Sequence, residues 1–254
     1  ASTAKRNARR FMAFRILFNI RFYYPVFMVM CLRYGITLEQ FGLLNAVWAV
    51  VIVLLEVPSG ALADLLGRKA LLVAAAIMMT LEMLLLAIVP IGSSWVFPAL
   101  LLNRILSGAA EAFASGADEA LAFDSLKAAG KDGDWPRVLE RLMQVGGLAT
   151  IFAMVTGSLV YSPDLIQVVM NWAGFASQIT LDDTFRLPVW LTFFSGCGAI
   201  LVTLSMRELP PDHSENNITL LDPFTQTLRT GYWILTTPLV LLVTAAGVLF
   251  DAPN

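Results

Sequence analysis

Apolar runs about twenty residues long recur down the chain, parted by short polar stretches. They lie near 11–32, 41–63, 70–89, 95–123, 142–161 and 188–206, and a seventh lies near 232–250. A helix of about twenty apolar residues crosses the hydrocarbon core of a bilayer. In lipid, every backbone polar group must be satisfied within the protein, which a helix does by itself. The expectation is an all-α membrane protein: a six-helix bundle over 1–206, a hydrophilic linker over 207–230, and the start of a further helical unit over 231–254. Composition agrees. The 254 residues are 57% hydrophobic and 14% charged, where a soluble domain carries roughly 25% charged residues.

The polar stretches set orientation. The segments before the first run, between the second and third, between the fourth and fifth, and after the sixth hold twelve Lys and Arg: Lys5, Arg6, Arg9, Arg10, Arg68, Lys69, Lys127, Lys131, Arg137, Arg141, Arg207 and Arg229. The alternate segments hold two, Arg33 and Arg186. Basic residues collect on the cytoplasmic side, so the N-terminus is expected in the cytoplasm and the protein in the plasma (inner) membrane. Asp164 to Trp172 is expected as a short helix lying in the interface. The sequon at Asn217 falls in a cytoplasmic linker and is expected to stay unmodified.

Between the second and third runs stands Gly60-Ala61-Leu62-Ala63-Asp64-Leu65-Leu66-Gly67-Arg68-Lys69. Gly60 would let a helix approach closely, and Gly67 can take a turn conformation that other residues avoid. This stretch resembles the signature loop between helices 2 and 3 of the major facilitator superfamily, roughly G-x-L-a-D-r-x-G-R-[RK]. Gly60, Leu62, Ala63, Asp64, Gly67, Arg68 and Lys69 match, while Leu65 stands where Arg is usual. The fourth run is similar to the family's R-x-x-Q-G-x-G-x-A pattern at Arg104, Gly108 and Ala112, with Ser107 and Ala110 departing from it. The fifth run lacks the Gly- and Pro-containing pattern of the family's drug–proton antiporters.

The resemblance implies two related six-helix halves, the chain holding the first half and the beginning of helix 7. A faint echo of Ile16-Leu17-Phe18-Asn19 in Val248-Leu249-Phe250-Asp251 fits a repeated half. Both ends look cut. By the resemblance, Asp124 pairs with Arg68 as a cytoplasmic gate. Asp64 latches helix 2 to helix 11 of the missing half, and helix 3 is peripheral.

Ionisable residues inside the runs are the other signal: Arg15, Arg21, Glu56, Glu82, Arg104, Glu111, Asp118 and Glu119. Each costs roughly 2.5–3.5 kcal/mol at membrane depth on insertion scales, so such residues usually face a bundle interior or a watery cavity. At about 100° per residue, Arg104, Gly108, Glu111, Ser115 and Asp118 fall on one narrow stripe of a continuous fourth helix. That stripe reads as a cavity lining, or as residues held in buried structural salt bridges. Arg15 lies near the cytoplasmic boundary and can snorkel. Arg21, with Asn19 or Tyr23, is a candidate substrate contact, or neutralises Glu56 or Glu111. Pro58 invites a kink beside Glu56, and Glu82 is expected to be structural. Glu111 is the candidate proton carrier, because a carboxyl held from water keeps its proton more readily and the guanidinium of nearby Arg104 would oppose this.

Several function classes fall away. The one histidine, His213, lies in a polar stretch, and no His-Glu-x-x-His, Ser–His or paired-Asp arrangement stands out. No enzyme, metal or cofactor is expected. Cys31 and Cys197 lie in apolar runs, so no disulfide framework is suggested. No phosphate loop and no basic–aromatic patch for nucleic acid is present. No cleavable signal peptide is visible. The expectation is a secondary transporter of a small solute, coupled to protons and working by alternating access. The alternative is a receptor or scaffold that keeps the fold without transporting.

Overall fold

A computed structural model describes residues 2–128, 130–174, 178–206 and 236. Among them the protein is helical, with no strand. The linker at 207–230, His213, the sequon and all of the seventh run except Thr236 lie outside the described residues. In chain order the helices are α1 (Ser2–Asn19), α2 (Phe27–Arg33), α3 (Leu38–Leu66), α4 (Arg68–Ile88), α5 (Val96–Ala114) and α6 (Ala117–Lys127). They continue as α7 (Trp135–Tyr161), α8 (Pro163–Trp172), α9 (Leu181–Thr184) and α10 (Leu187–Ser205). Six helical stretches are long and apolar enough to cross a membrane: Arg6–Arg33, Leu38–Glu56, Arg68–Ile88, Val96–Lys127, Asp132–Tyr161 and Leu181–Ser205.

Local chemistry sets where these helices break. The first span is interrupted after Asn19, because Pro25 has no N–H to donate. The Arg21 carbonyl instead accepts from Tyr24 N at 3.3 Å, in the short turn Tyr24–Val26. The Phe22 N–H in this break donates to Thr192 Oγ1 of α10 at 3.1 Å, so this donor is not stranded. α3 opens with a reciprocal cap: Thr37 Oγ1 accepts from Gln40 N at 3.2 Å, and Gln40 Oε1 accepts from Thr37 N at 3.0 Å. It then runs through Pro58 to Leu66 without ending there.

The fourth span is not continuous. It stops at Ala114 and restarts at Ala117, with Gly116 at φ +71° between the two pieces. That left-handed conformation favours glycine, and it re-aims everything beyond Ser115.

Two apolar clusters fill the interior. One gathers Tyr23, Phe27, Met30, Tyr34, Leu86 and Phe185. The other gathers Phe14, Phe18, Leu72, Met79, Ala110 and Ala199. α4 serves both, burying Leu72, Ala75, Ala76, Met79, Met83 and Leu86 along its length and packing against α5 and α10. The expectation of a peripheral third span is therefore corrected: α4 is the central helix. α3 and α7 are the opposite. Val50, Val53 and Leu54 on α3, and Leu148, Ile151, Phe152 and Val155 on α7, point outward with large exposed apolar surfaces. A water-facing helix hides such side chains; a lipid-facing one displays them.

Candidate functional site

A layer of charge lies at the level where the two apolar clusters meet. Arg21, in the break of the first span, is ion-paired with Glu82 of α4, and both are buried. Arg21 Nη2 also stands 4.0 Å from Glu111 Oε2 on α5. The two acids differ in surroundings: the Glu82 side chain is 0% exposed and the Glu111 side chain 44%. The guanidinium also lies over the Phe18 ring, 5.2 Å from its centroid. Glu82 Oε2 has no hydrogen-bond donor among the described residues.

The layer continues to Arg104. Its Nε and Nη2 donate to Asn103 Oδ1 at 2.9 and 2.8 Å, and Nη2 reaches the Tyr23 hydroxyl at 3.3 Å. The ring of Phe27 faces it at 4.4 Å. Asn103 Nδ2 in turn donates to the backbone carbonyl of Glu82 at 2.8 Å. Asn103 therefore joins the two guanidinium sites. Arg104 forms no ion pair among the described residues; neutral acceptors and an aromatic face hold it.

A second layer ties α1 to α6. Arg15 Nε lies 2.8 Å from Asp118 Oδ2, and Arg15 Nη2 lies 2.7 Å from Glu119 Oε1. The contact to Asp118 is ionic, but its atoms are not aligned as a hydrogen bond. Asp118 Oδ1 accepts from Glu119 N at 2.7 Å. Nearer the start of α1, Asn7 Nδ2 donates to Ser125 Oγ at 3.0 Å. Arg15 thus pairs with two carboxylates of α6.

The loop between α3 and α4 is a single residue, Gly67, at φ +91°. It places Arg68 at the first turn of α4, where Arg68 pairs with Asp124 of α6, both partly exposed. This is the pair the resemblance implied. Lys69 follows Arg68 on the same turn, and the side chain of Asp64 lies outside the described residues. At the opposite end, Arg33 pairs with Asp182, and Arg186 Nη2 donates to the Val89 carbonyl at 2.6 Å. Beside it the Tyr34 hydroxyl donates to the Leu86 carbonyl at 2.5 Å. Burial raises the Tyr34 phenol above its ordinary value, with Arg186 opposing.

Three geometric expectations need correction. The single polar stripe does not exist. The break at Ser115–Gly116 sends Asp118 under α1 and leaves Ser115 Oγ donating to Glu56 Oε1 at 2.8 Å. Gly108 is closed over by α3: a Cβ there would lie 2.8 Å from the Trp48 carbonyl oxygen. Second, Glu111 is half-exposed rather than buried, and Arg21 rather than Arg104 is the cation near it. Third, among the described residues no helix approaches Gly60 closely: a Cβ added there finds nothing within 4 Å. The close approaches fall elsewhere, most severely at Gly157, where a Cβ would stand 1.7 Å from the Phe22 carbonyl oxygen.

Of the candidate residues, Arg21 and Glu111 share the middle layer with Arg104. Glu56 is exposed on α3. Asn19 is exposed too, its Nδ2 donating back to the Arg15 carbonyl at 2.8 Å. Sequence reading missed Glu82 as the partner of Arg21, and Asn103 as the joint to Arg104. A pairing across 61 residues has no local signature; the one available signal was a carboxylate in the middle of an otherwise apolar run.

No protein-family model matches the chain, and a search of curated proteins finds no match.

Proposed function

We propose that the chain is the first six-helix half of a major-facilitator-type secondary transporter, moving a small solute by alternating access with proton coupling. The observation that carries this reading is Arg21 shared between a buried carboxylate and a half-exposed one. Glu111 has access to water and lies beside a cation. It can take a proton and release Arg21 wholly to Glu82, then lose the proton and draw Arg21 back. With Glu111 protonated, the guanidinium faces one buried carboxylate; with Glu111 ionised, it is shared by two, the second of them half-exposed. A solute bound against Arg21 or Glu111 would bias that exchange, which is what coupling requires.

The six spans, the one-residue turn at Gly67 and the Arg68–Asp124 pair support the same reading. Arg68–Asp124 would act as a latch between inward-facing and closed states, with Asp64 and Lys69 beside it. The basic segments support a cytoplasmic N-terminus in a multi-pass protein of the inner or plasma membrane. The exposed faces of α3 and α7 would meet lipid and a second six-helix half.

The experiment is proton movement in proteoliposomes of the full-length protein, read by an internal pH dye as solutes are added from a panel of anions, cations and neutral compounds. The reading expects solute-dependent proton flux that Glu111→Gln abolishes. A well-folded protein that moves neither solute nor protons across such a panel returns it to the receptor or scaffold class.

A further inference from the structure

At the end of the bundle where α1 begins, α1 and α7 part around a cleft of about 670 Å³. Four cations line it, Arg9, Lys131, Arg137 and Arg141, against two acids, Asp134 and Glu140. The acids are engaged: Arg137 Nη1 donates to Asp134 at 3.2 Å, and Gln144 Nε2 donates to Glu140 at 3.2 Å. Among the described residues Arg9, Lys131 and Arg141 take part in no ion pair. Three cations therefore converge on one cleft without a carboxylate of their own.

Further along α1 and α7 lies a smaller cavity of about 230 Å³, lined by Ile16, Leu142, Met143, Gly146 and Gly147 together with Arg15, Asn19 and Thr150. A Cβ added at either glycine meets nothing within 4 Å, so the seam is open there. From Arg9 to Asn19 is ten residues of helix, about 15 Å at 1.5 Å per residue. That is half of a hydrocarbon core about 30 Å thick. Trp135 packs beside the rim against Phe11 and Phe123, at ring distances of 5.9 and 5.7 Å. Tryptophan gathers at headgroup level. A charged rim at headgroup depth thus lies beside a groove whose apolar wall is Ile16, Leu142 and Met143 and which also carries Arg15, Asn19 and Thr150.

We infer that the α1–α7 seam binds an anionic glycerophospholipid, its phosphate held by Arg9, Lys131 and Arg141 and one acyl chain laid along Ile16, Met143 and the two glycines. A free phosphate or small anion would use the rim and leave the groove without a role. The inference needs the bilayer but not the transport activity.

The test is native mass spectrometry of the full chain in detergent, incubated with dioleoyl phosphatidylglycerol, dioleoyl phosphatidylcholine or inorganic phosphate. The site retains phosphatidylglycerol in preference to phosphatidylcholine, and excess inorganic phosphate does not displace it. Replacing Arg9, Lys131 and Arg141 together with Gln weakens phosphatidylglycerol binding about a hundredfold, from three cations at the interface. Gly147→Leu, which keeps every cation, weakens it severalfold by filling the groove. Equal retention of the two lipids, or unchanged binding by the triple variant, overturns the site. Displacement by inorganic phosphate, or no effect of Gly147→Leu, overturns the lipid and leaves an anion site at the rim. No arm reads transport, so this result and the transporter proposal stand or fall separately.

Discussion

Arg21 and Glu82 stand 61 residues apart in the chain and form an ion pair that solvent does not reach. One comes from a break in the first span, the other from the middle of the central helix. Desolvating two charges is expensive, and their attraction offsets that only while both are present. Glu82→Ala should therefore destabilise the protein by about 3–5 kcal/mol, the usual penalty for orphaning a buried charge. Glu111 lies too far and too exposed to replace it fully. Thermal unfolding in detergent measures this: Glu82→Ala should melt well below wild type, and Arg21→Met with Glu82→Leu should recover much of the loss. A single variant as stable as wild type would contradict the pairing.

The contact of Gly157 with the break in the first span gives a second test. Gly157→Ala puts a methyl group 1.7 Å from the Phe22 carbonyl oxygen, and neither partner is a flexible side chain. Either α7 or the break must move. Gly146→Ala, on the same helix but in open space, should be neutral or stabilise by up to about 1 kcal/mol through helix propensity. Size-exclusion profiles and melting of the two variants should separate them: Gly157→Ala poorly folded, Gly146→Ala normal.

Thr192→Val removes the hydroxyl that accepts from Phe22 N at 3.1 Å. The N–H is then left without its partner, at a cost of about 1–3 kcal/mol. Thr192→Ser keeps the hydroxyl and should lie closer to wild type, as read by melting.

Arg68 and Asp124 are partly exposed, so their pair adds little stability, under about 1 kcal/mol. Arg68→Ala and Asp124→Asn should fold normally and lower transport by the full-length protein. Exchanging the two charges should restore part of it. Normal uptake by both single variants would remove the latch.

Much of the frame was legible in the sequence, because bilayer-length apolar runs and short loops are local patterns. The turn at Gly67 and the short helix after the fifth span were legible for the same reason. What failed were statements that assumed a straight helix. Treating the fourth span as continuous put Asp118 in register with Arg104, and one left-handed glycine at 116 moved it under α1. The central position of α4 was not legible either: Glu82 and its apolar neighbours look alike in sequence whether lipid or protein surrounds them. The Arg68–Asp124 pair came from the family pattern, whereas the Arg21–Glu82 pair had no pattern to announce it.

The central claim is that water reaches the charged layer from one side of the bundle, as a transport pathway requires. Cysteine labelling tests it without knowing the solute. In the full-length protein, with Cys31 and Cys197 replaced, a membrane-impermeant maleimide is applied to opened membranes carrying single cysteines at Glu56, Glu111 or Leu201. Glu56 is exposed, Glu111 is half-exposed, and Leu201 is 70% exposed on α10. A thiol reacts as the thiolate, which forms in water and not in lipid. The account predicts rapid labelling at positions 56 and 111 and none at 201. If 111 stays as unreactive as 201, lipid or protein covers the layer, no aqueous pathway passes Arg21, and the transporter reading is contradicted.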